Sequence, residues 1–371
     1  MTICVIATAS ALRGAFTIYL QFIDALRLYG GDDHWHIFVD NGMPTPDMPN
    51  VEYHVCHTKG FGRMWFDFYG FKKYCRNNGI GTDVIFSLQN TGVKCQSIRN
   101  VIYYHQSLPL YHYTYKIFDK SIKETLFYKV YYPFYVKLLM NKRTYVAVQT
   151  ETVKDLFSKR YDFPLDKIGV YFPKVDKIDA DSVAPYEYES GTYNFLYPAM
   201  GAPYKEHTTL ALAIVKIWRS NPELAKNIRV HLTLRERIHK TLHAIIQKEK
   251  LHRNFVFHGN IPHEQVLSML KGSHGLLFPS IVESSGLPLL EAAMLGIPVV
   301  ANDMGYVHDA LHEYEGVKCV QVHDYDDWAL KIEECCTGEV HYTPYSFNDN
   351  DSWKRLFLLI KDGTVALEEQ F

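Results

Sequence analysis

Several common functional signatures are missing from this sequence of 371 residues. Lysine and arginine number 39 against 41 aspartates and glutamates, and the formal net charge of -2 provides no basic field for nucleic acid. A Walker A sequence is absent, which argues against a P-loop nucleotide triphosphatase. No apolar run is long enough to cross a membrane as a helix. Nucleic-acid binding, P-loop hydrolysis and a membrane-spanning role are therefore disfavoured.

Cysteine and metal-binding patterns are sparse as well. The seven cysteines, an odd number, form no Cys-x-x-Cys pair, which is typical of a reduced cytoplasmic compartment. Residues 60–65 begin like a dinucleotide fingerprint but lack its third glycine. His239 and His243 have the spacing of two zinc ligands on a helix, but Lys240 stands where a zinc protease has glutamate. The sequence therefore predicts a solvated helix face there and no metal site.

What the sequence does contain is a regular alternation of strand-like and helical segments. Hydrophobic residues make up 47% of the chain, which is long enough for two ordinary domains. The alternation lapses around residues 172–185, a stretch with the character of a linker. Two such series predict an α/β protein with two doubly wound parallel sheets facing a cleft. The predicted strands are residues 3–7, 36–39, 51–56, 84–88, 101–104, 145–149, 194–197, 228–232, 254–257, 275–281, 297–302 and 317–322.

The apolar segment 279–301 is unusual because it contains two glutamates, Glu283 and Glu291. Its flanks predict a strand, a helix and a second strand, with Pro288 in the first helical turn and Gly296 at the helix end. Glu283 then lies in the loop at the carboxyl end of a strand, where open parallel sheets bind ligands. The N–H groups at this helix N-terminus suit an anion, although an ordinary capping loop has the same sequence character.

Taken as a whole, this segment resembles the donor-binding signature of retaining glycosyltransferases of the GT-B fold, glycosyltransferase family 4. Elsewhere the resemblance is weaker. Gly14 is similar to a glycine of the family's N-terminal glycine-rich loop, and His105 to a histidine that faces the cleft. Residues 199–207 resemble the diphosphate-binding segment, with Lys205 matching its lysine and no arginine before it. The signature positions are Pro279, Ser280, Glu283, Gly286, Leu287, Pro288, Glu291, Gly296, Pro298 and Val299.

The resemblance implies a role for each matching residue. Glu291 would accept hydrogen bonds from the ribose, and Glu283 would face the donor sugar and its developing positive charge. Lys205 and the helix N-terminus would neutralise the leaving diphosphate without a metal or other cofactor. His105 completes the implied catalytic set, and Arg237 is one candidate for the missing arginine. The implied donor-binding residues are Glu291, Ser284, Ser285, Gly286, Leu287, Gly14, Arg235 and Ile261.

The implied activity is transfer of a sugar from a UDP- or GDP-linked donor, with retention of anomeric configuration. The acceptor would be a saccharide or lipid-linked saccharide, as in bacterial surface polysaccharide synthesis. Two alternatives stay open: a sugar-nucleotide epimerase or hydrolase of the same fold, and a non-catalytic sugar-nucleotide-binding subunit. Donor hydrolysis and transfer assays distinguish the three.

The resemblance also implies how the chain is divided. Residues 1–175 would bind the acceptor, residues 176–190 would link the domains, and residues 191–345 would bind the donor. Residues 346–371 would form a helix that packs back on the first domain. The aromatic and basic stretch 111–143 suits core packing, and also contact with lipid headgroups. We therefore expect a cytoplasmic protein, with peripheral contact to the inner face of the membrane as the alternative.

Overall fold

The computed structural model describes residues 1–11, 13–58, 60–112, 126–236, 239–338, 341–347 and 351–365. These residues divide into two compact units. The first unit contains the described residues up to 174 together with residues 351–365, and the second contains the described residues 175–347. Each unit has its own parallel sheet, so the predicted α/β class with two parallel sheets is confirmed.

The first unit contains a seven-stranded parallel sheet in the order β3-β2-β1-β4-β5-β6-β7. The central strand β4 is buried along its whole length and β1 at every residue except Thr2, as expected when helices cover both faces of a parallel sheet. The short strand β7 is missing from the sequence prediction because three residues give too little pattern to detect. The strands are β1 Thr2–Ala7, β2 His34–Val39, β3 Val51–Val55, β4 Val84–Ser87, β5 Arg99–Tyr103, β6 Thr144–Val148 and β7 Ile168–Val170.

The C-terminal helix, Ser352–Asp362, belongs to the core of the first unit. Phe357 of this helix stacks on Phe22 with ring centroids 5.9 Å apart, and it packs against Trp35 at 5.5 Å. The remaining helices are α1 Arg13–Tyr29, α2 Phe61–Trp65, α3 Phe71–Asn77, α4 Tyr132–Leu139 and α5 Glu151–Tyr161, with π-helical turns at Phe66–Gly70 and Phe127–Tyr131.

The second unit contains a six-stranded parallel sheet in the order β10-β9-β8-β11-β12-β13. Its strands are β8 Tyr193–Tyr197, β9 Ile228–Leu232, β10 Phe255–Phe257, β11 Gly275–Phe278, β12 Val299–Asn302 and β13 Val317–Val320. The helices that connect them are α6 His207–Ser220, α7 Pro222–Ala225, α8 Lys240–Lys248, α9 His263–Gly272, α10 Leu287–Met294, α11 Gly305–Leu311 and α12 Tyr325–Thr337.

Residues 126–138 of the first unit carry an apolar surface that faces solvent. Val130 is 61% exposed and Phe134 is 65% exposed, and Trp65 on α2 is 54% exposed. The Tyr131 hydroxyl donates to Met64 Sδ at 3.0 Å, so α2 and this segment are in contact. Only one side of α4 supplies core residues. No described helix has the length and apolarity needed to traverse a bilayer, and residues 113–125 of the predicted aromatic stretch lie outside the described residues.

Candidate functional site

The strand order of the second sheet places two predicted site residues beside each other. The first strand, β8, lies next to β11, and Leu196 pairs with Leu276. The chain leaves β8 for one side of the sheet and leaves β11 for the other, so the loops at their carboxyl ends diverge and leave a crevice. Lys205 lies on the loop after β8, and Glu283 lies on the loop after β11.

Lys205 and Glu283 form a direct ion pair. Their side chains are 14% and 15% exposed, so solvent screens the attraction only in part. Two further bonds hold the loops in place: the Tyr197 hydroxyl donates to the Lys205 carbonyl at 2.7 Å, and the Ile281 N–H donates to the Tyr204 carbonyl at 2.9 Å. The lysine of this site is therefore neutralised by one of the site's own glutamates.

The segment between Glu283 and Glu291 folds as its glycine and proline positions predict. Gly286 precedes α10 with φ 62°, and Pro288 occupies the first turn. A Cβ on Gly286 would lie 2.9 Å from Leu289 Cδ1, so both the backbone angle and the space favour glycine. The N–H groups at the start of α10 are aligned with its axis, which favours negative charge at that end.

Glu291 forms the second ion pair of the site. Its carboxylate lies 2.8 Å from His263 Nε2, the first residue of α9. The hydrogen bond to Glu291 raises the pKa of His263 above its usual value, although burial opposes the shift. Glu291 is 15% exposed and His263 is 63% exposed. His263 occupies one of the two Glu291 oxygens, so a ligand that bonds both oxygens would compete with His263.

The other predicted donor-binding residues of the second unit are more scattered. Ser285 is buried, whereas Ser284 and Leu287 are half-buried. Ile261 is half-buried in the loop that leads from β10 to α9, two residues before His263. Arg235 is exposed after β9, with its Cγ 3.8 Å from the position of a Cβ on Gly259. Arg237 lies outside the described residues.

Two predicted site residues lie in the first unit. The His105 backbone N–H donates to Asn90 Oδ1 at 2.6 Å, and its buried Nδ1 has no hydrogen-bond partner among the described residues. Burial lowers the pKa of His105 to about 4, so the ring is neutral at physiological pH. Gly14 lies in the first turn of α1, exposed and with nothing within 4 Å of an added Cβ. The expectation that Gly14 belongs to a loop is wrong, because α1 already begins at Arg13.

The sequence prediction omitted two histidines at this site, His263 and His207. His207 is fully buried beside the Tyr197 ring, with centroids 4.7 Å apart, and neither ring nitrogen has a hydrogen-bond partner among the described residues. Burial lowers its pKa to about 3. Its position two residues after Lys205 was the only available signal. Spacing alone does not reveal a buried, unpaired imidazole.

His239 and His243 do not share a role. The Leu242 N–H donates to His239 Nδ1 at 3.2 Å, so His239 caps the N-terminus of α8. His243 lies 3.9 Å from a Glu236 carboxylate oxygen and 3.5 Å from the Gln247 side-chain nitrogen. His239 is therefore accounted for by its capping role at the start of α8.

Known proteins resemble both the sequence and the fold. Residues 185–348 match the family described as glycosyl transferases group 1. The O-antigen chain mannosyltransferase RfbU of Salmonella typhimurium is 22% identical over 338 residues, 86% of each chain. Sucrose-phosphate synthase of Thermosynechococcus elongatus has a TM-score of 0.65 at 15% identity, over 97% of this chain and 94% of that one. HepE of Anabaena, in complex with UDP-glucose, has a TM-score of 0.60 at 13% identity, over 97% and 95%.

Two parallel-sheet units and these structural similarities show the GT-B fold. More particularly, residues 185–348 match the model of the glycosyl transferases group 1 family. The matched range includes Lys205, Glu283 and Glu291, so the family match and the candidate site concern the same unit.

Proposed function

We propose that this protein transfers a sugar from a nucleotide-diphospho-sugar to a saccharide or lipid-linked saccharide, with retention at the anomeric carbon. The Lys205–Glu283 ion pair at the β8–β11 switch point carries this proposal. It places a cation against the loop that leads into α10, and this cation and the N-terminus of α10 together would suit the diphosphate of a donor.

Binding of the diphosphate would exchange the partner of Lys205. The ammonium group would move from the Glu283 carboxylate to the phosphate oxygens. Glu283 would then be free to face the sugar, where positive charge develops as the glycosidic bond to phosphate breaks. Because the leaving diphosphate is neutralised by Lys205 and the α10 N-terminus, the reaction would need no metal ion. The leaving phosphate would accept the proton of the acceptor hydroxyl.

The nucleoside would bind at Glu291. A carboxylate accepts two hydrogen bonds, which matches the adjacent hydroxyls of a ribose. His263 bonds one oxygen of this carboxylate at 2.8 Å, so it would yield its place to a ribose that bonds both oxygens. Ile261 and Arg235 lie on the loops after the neighbouring strands and would face the base. The donor would be a UDP- or GDP-linked sugar.

The biological setting is proposed from the relatives. RfbU is named as an O-antigen chain mannosyltransferase, and HepE is in complex with UDP-glucose. We place this protein in the synthesis of a bacterial surface polysaccharide, acting in the cytoplasm. The exposed apolar residues of segment 126–138 suit peripheral contact with a membrane that carries a lipid-linked acceptor.

A transfer assay tests the proposal. UDP- and GDP-sugars are incubated with a panel of saccharide and lipid-linked acceptors, after exhaustive chelation of divalent ions. We expect a new product whose anomeric configuration, measured by proton NMR coupling, equals that of the donor. Inversion would contradict the retaining mechanism, donor hydrolysis alone would indicate a hydrolase, and binding without turnover would indicate a non-catalytic subunit.

A further inference from the structure

We propose that His36, Glu52 and His54 form a binding site for Zn²⁺ at the edge of the first sheet, independent of the proposed glycosyl transfer. Their ligand atoms all lie within 4.8 Å of one another. Two imidazoles and a carboxylate are a ligand set that zinc accepts, with the fourth position left to water.

The strand register brings the three side chains to one face of the sheet. His36 on β2 pairs with Glu52 on the edge strand β3, and Phe38 pairs with His54. Side chains two positions apart on a strand point to the same face. His36, Glu52 and His54 therefore share the face on which Phe38 packs against Phe66 and Phe71 of the neighbouring helical segments.

The distances between the ligand atoms approach those of a zinc tetrahedron. Zinc–nitrogen bonds of about 2.0–2.1 Å at tetrahedral angles place two ligand atoms about 3.3 Å apart. His36 Nδ1 lies 3.0 Å from His54 Nε2 and 3.5 Å from Glu52 Oε2. Small rotations of exposed side chains, chiefly of Glu52 at 71% exposure, suffice to admit the ion.

The surroundings prepare both histidines as ligands. His54 Nδ1 lies 3.1 Å from the Tyr74 hydroxyl oxygen, so a proton on Nδ1 leaves the lone pair of Nε2 directed at His36. Such a bond at the second ring nitrogen is the usual support of a metal-binding histidine. Zinc would need only a shift of the His36 proton from Nδ1 to Nε2.

Two similar groups in the second unit lack this geometry. Asp303, His308 and Cys319 are also close together, but His308 Nε2 lies only 2.6 Å from Asp303 Oδ1, and Gln321 donates to the second Asp303 oxygen. His231 and His258 form a stacked pair 2.9 Å apart at their nitrogens, and no described carboxylate completes it as a metal-binding group. The edge of the first sheet is therefore the better zinc site.

Calorimetric titration of the chelated full-length protein with Zn²⁺ alone tests the proposal. The wild type should bind one equivalent of Zn²⁺ whose affinity depends on His36, Glu52 and His54. Glu52→Gln changes an exposed side chain of nearly the same size and should weaken that binding at least tenfold, and His54→Asn should abolish it. Glu313→Gln is the matched control, because Glu313 is equally exposed beside the single histidine His312 at 3.6 Å. This control should bind zinc as the wild type does.

The group Asp303, His308 and Cys319 needs its own variant, because its thiol could also bind zinc. His308→Asn should leave the equivalent at the first sheet intact. If the tight equivalent disappears in His308→Asn and persists in Glu52→Gln, the proposal is wrong. It is also wrong if the wild type binds no zinc at micromolar concentration. If His54→Asn does not fold, the zinc affinity of Glu52→Gln alone tests the proposal. Thermal unfolding of Glu52→Gln shows whether this variant is folded.

Discussion

At the scale of the residue, two ion pairs determine how the candidate site would receive a ligand. Lys205 is held by Glu283, and Glu291 is held by His263. In each pair the group proposed to bind the donor is already occupied by a partner from a different element. Binding of the proposed donor would therefore exchange these partners instead of filling an unpaired charged site, and the pairing lowers the cost of keeping each charge partly buried.

The two glutamates should behave differently when neutralised. Glu283→Gln removes negative charge near the anomeric carbon, so kcat and kcat/KM should fall together, on the order of a hundredfold. Its affinity for the free nucleoside diphosphate should be unchanged or higher, because Lys205 loses a competing partner. Glu291→Gln should instead weaken nucleotide binding by about 1.5–3 kcal/mol. Full kinetics and calorimetry of both variants check this, and equal affinity losses would make Glu283 another binding residue.

His263 should make nucleotide affinity depend on pH. Its pKa is raised by Glu291, so below that pKa the protonated ring holds the carboxylate that the ribose needs. Affinity should rise as the pH increases through the pKa of His263, which lies above its ordinary value. Without ligand, the pair contributes stability that is present below the unfolded pKa and lost over the same rise in pH.

The variant His263→Asn provides the control for this pH dependence. The diphosphate also ionises near these pH values, but it does so identically with either protein. The difference between the two pH profiles therefore isolates His263. Parallel profiles would show that His263 does not compete for Glu291.

At the scale of the element, the sequence predicted the β11–α10–β12 unit well because its signals are local. Pro288 and Gly296 mark the ends of α10, and the observed helix is Leu287–Met294. The contact between Lys205 and Glu283 was not predictable, since 78 positions separate them and only the adjacency of β8 and β11 joins them. The roles assigned to these residues remain predictions, and the same holds for His105.

Elements without a periodic pattern were missed. The π-helical turn Phe66–Gly70 interrupts the helical repeat between α2 and α3, and β7 is only three residues long. Gly14 was matched to a glycine-rich loop through the family resemblance, whereas it lies in the first turn of α1. His36, Glu52 and His54 come together through strand pairing, which spacing along the chain does not show.

Two glycine substitutions test the account of α10 and α1. Gly286→Ala must adopt φ 62° and meets Leu289 Cδ1 at 2.9 Å, so it should lower the free energy of unfolding by about 1–2 kcal/mol or more. Gly14→Ala lies in an open helical turn and should be neutral or stabilising by up to about 1 kcal/mol. Denaturant unfolding of both variants measures the difference. Equal stabilities would mean that the Gly286 conformation is not required.

At the scale of the whole molecule, the buried histidines should make the fold sensitive to acid. Burial lowers the pKa of His207 and of His231 to about 3. The unfolded chain binds protons at about pH 6.5, so stability is present above that pH and is lost as the pH falls toward 3. At pH 5 each histidine should cost about 2 kcal/mol.

Thermal unfolding at pH 7 and pH 5 checks this expectation. The Tm of the wild type should fall between these values, and His207→Phe, which removes one acid-sensitive group while retaining a ring beside Tyr197, should show a smaller fall. His252→Asn changes an exposed histidine and should follow the wild type. A His207→Phe profile that matches the wild type would exclude His207 as a source of acid lability.

The proposed function requires that the second unit bind a nucleotide-diphospho-sugar through Lys205 and Glu291. Calorimetric titration of the wild type and of Lys205→Met with UDP and GDP, in the presence of a chelator, tests it most directly. We expect one of the two diphosphates to bind the wild type without metal and to bind Lys205→Met at least tenfold more weakly, because a charged partner of phosphate is lost. Equal affinity in the two proteins, or no binding of either diphosphate to the wild type, would contradict it.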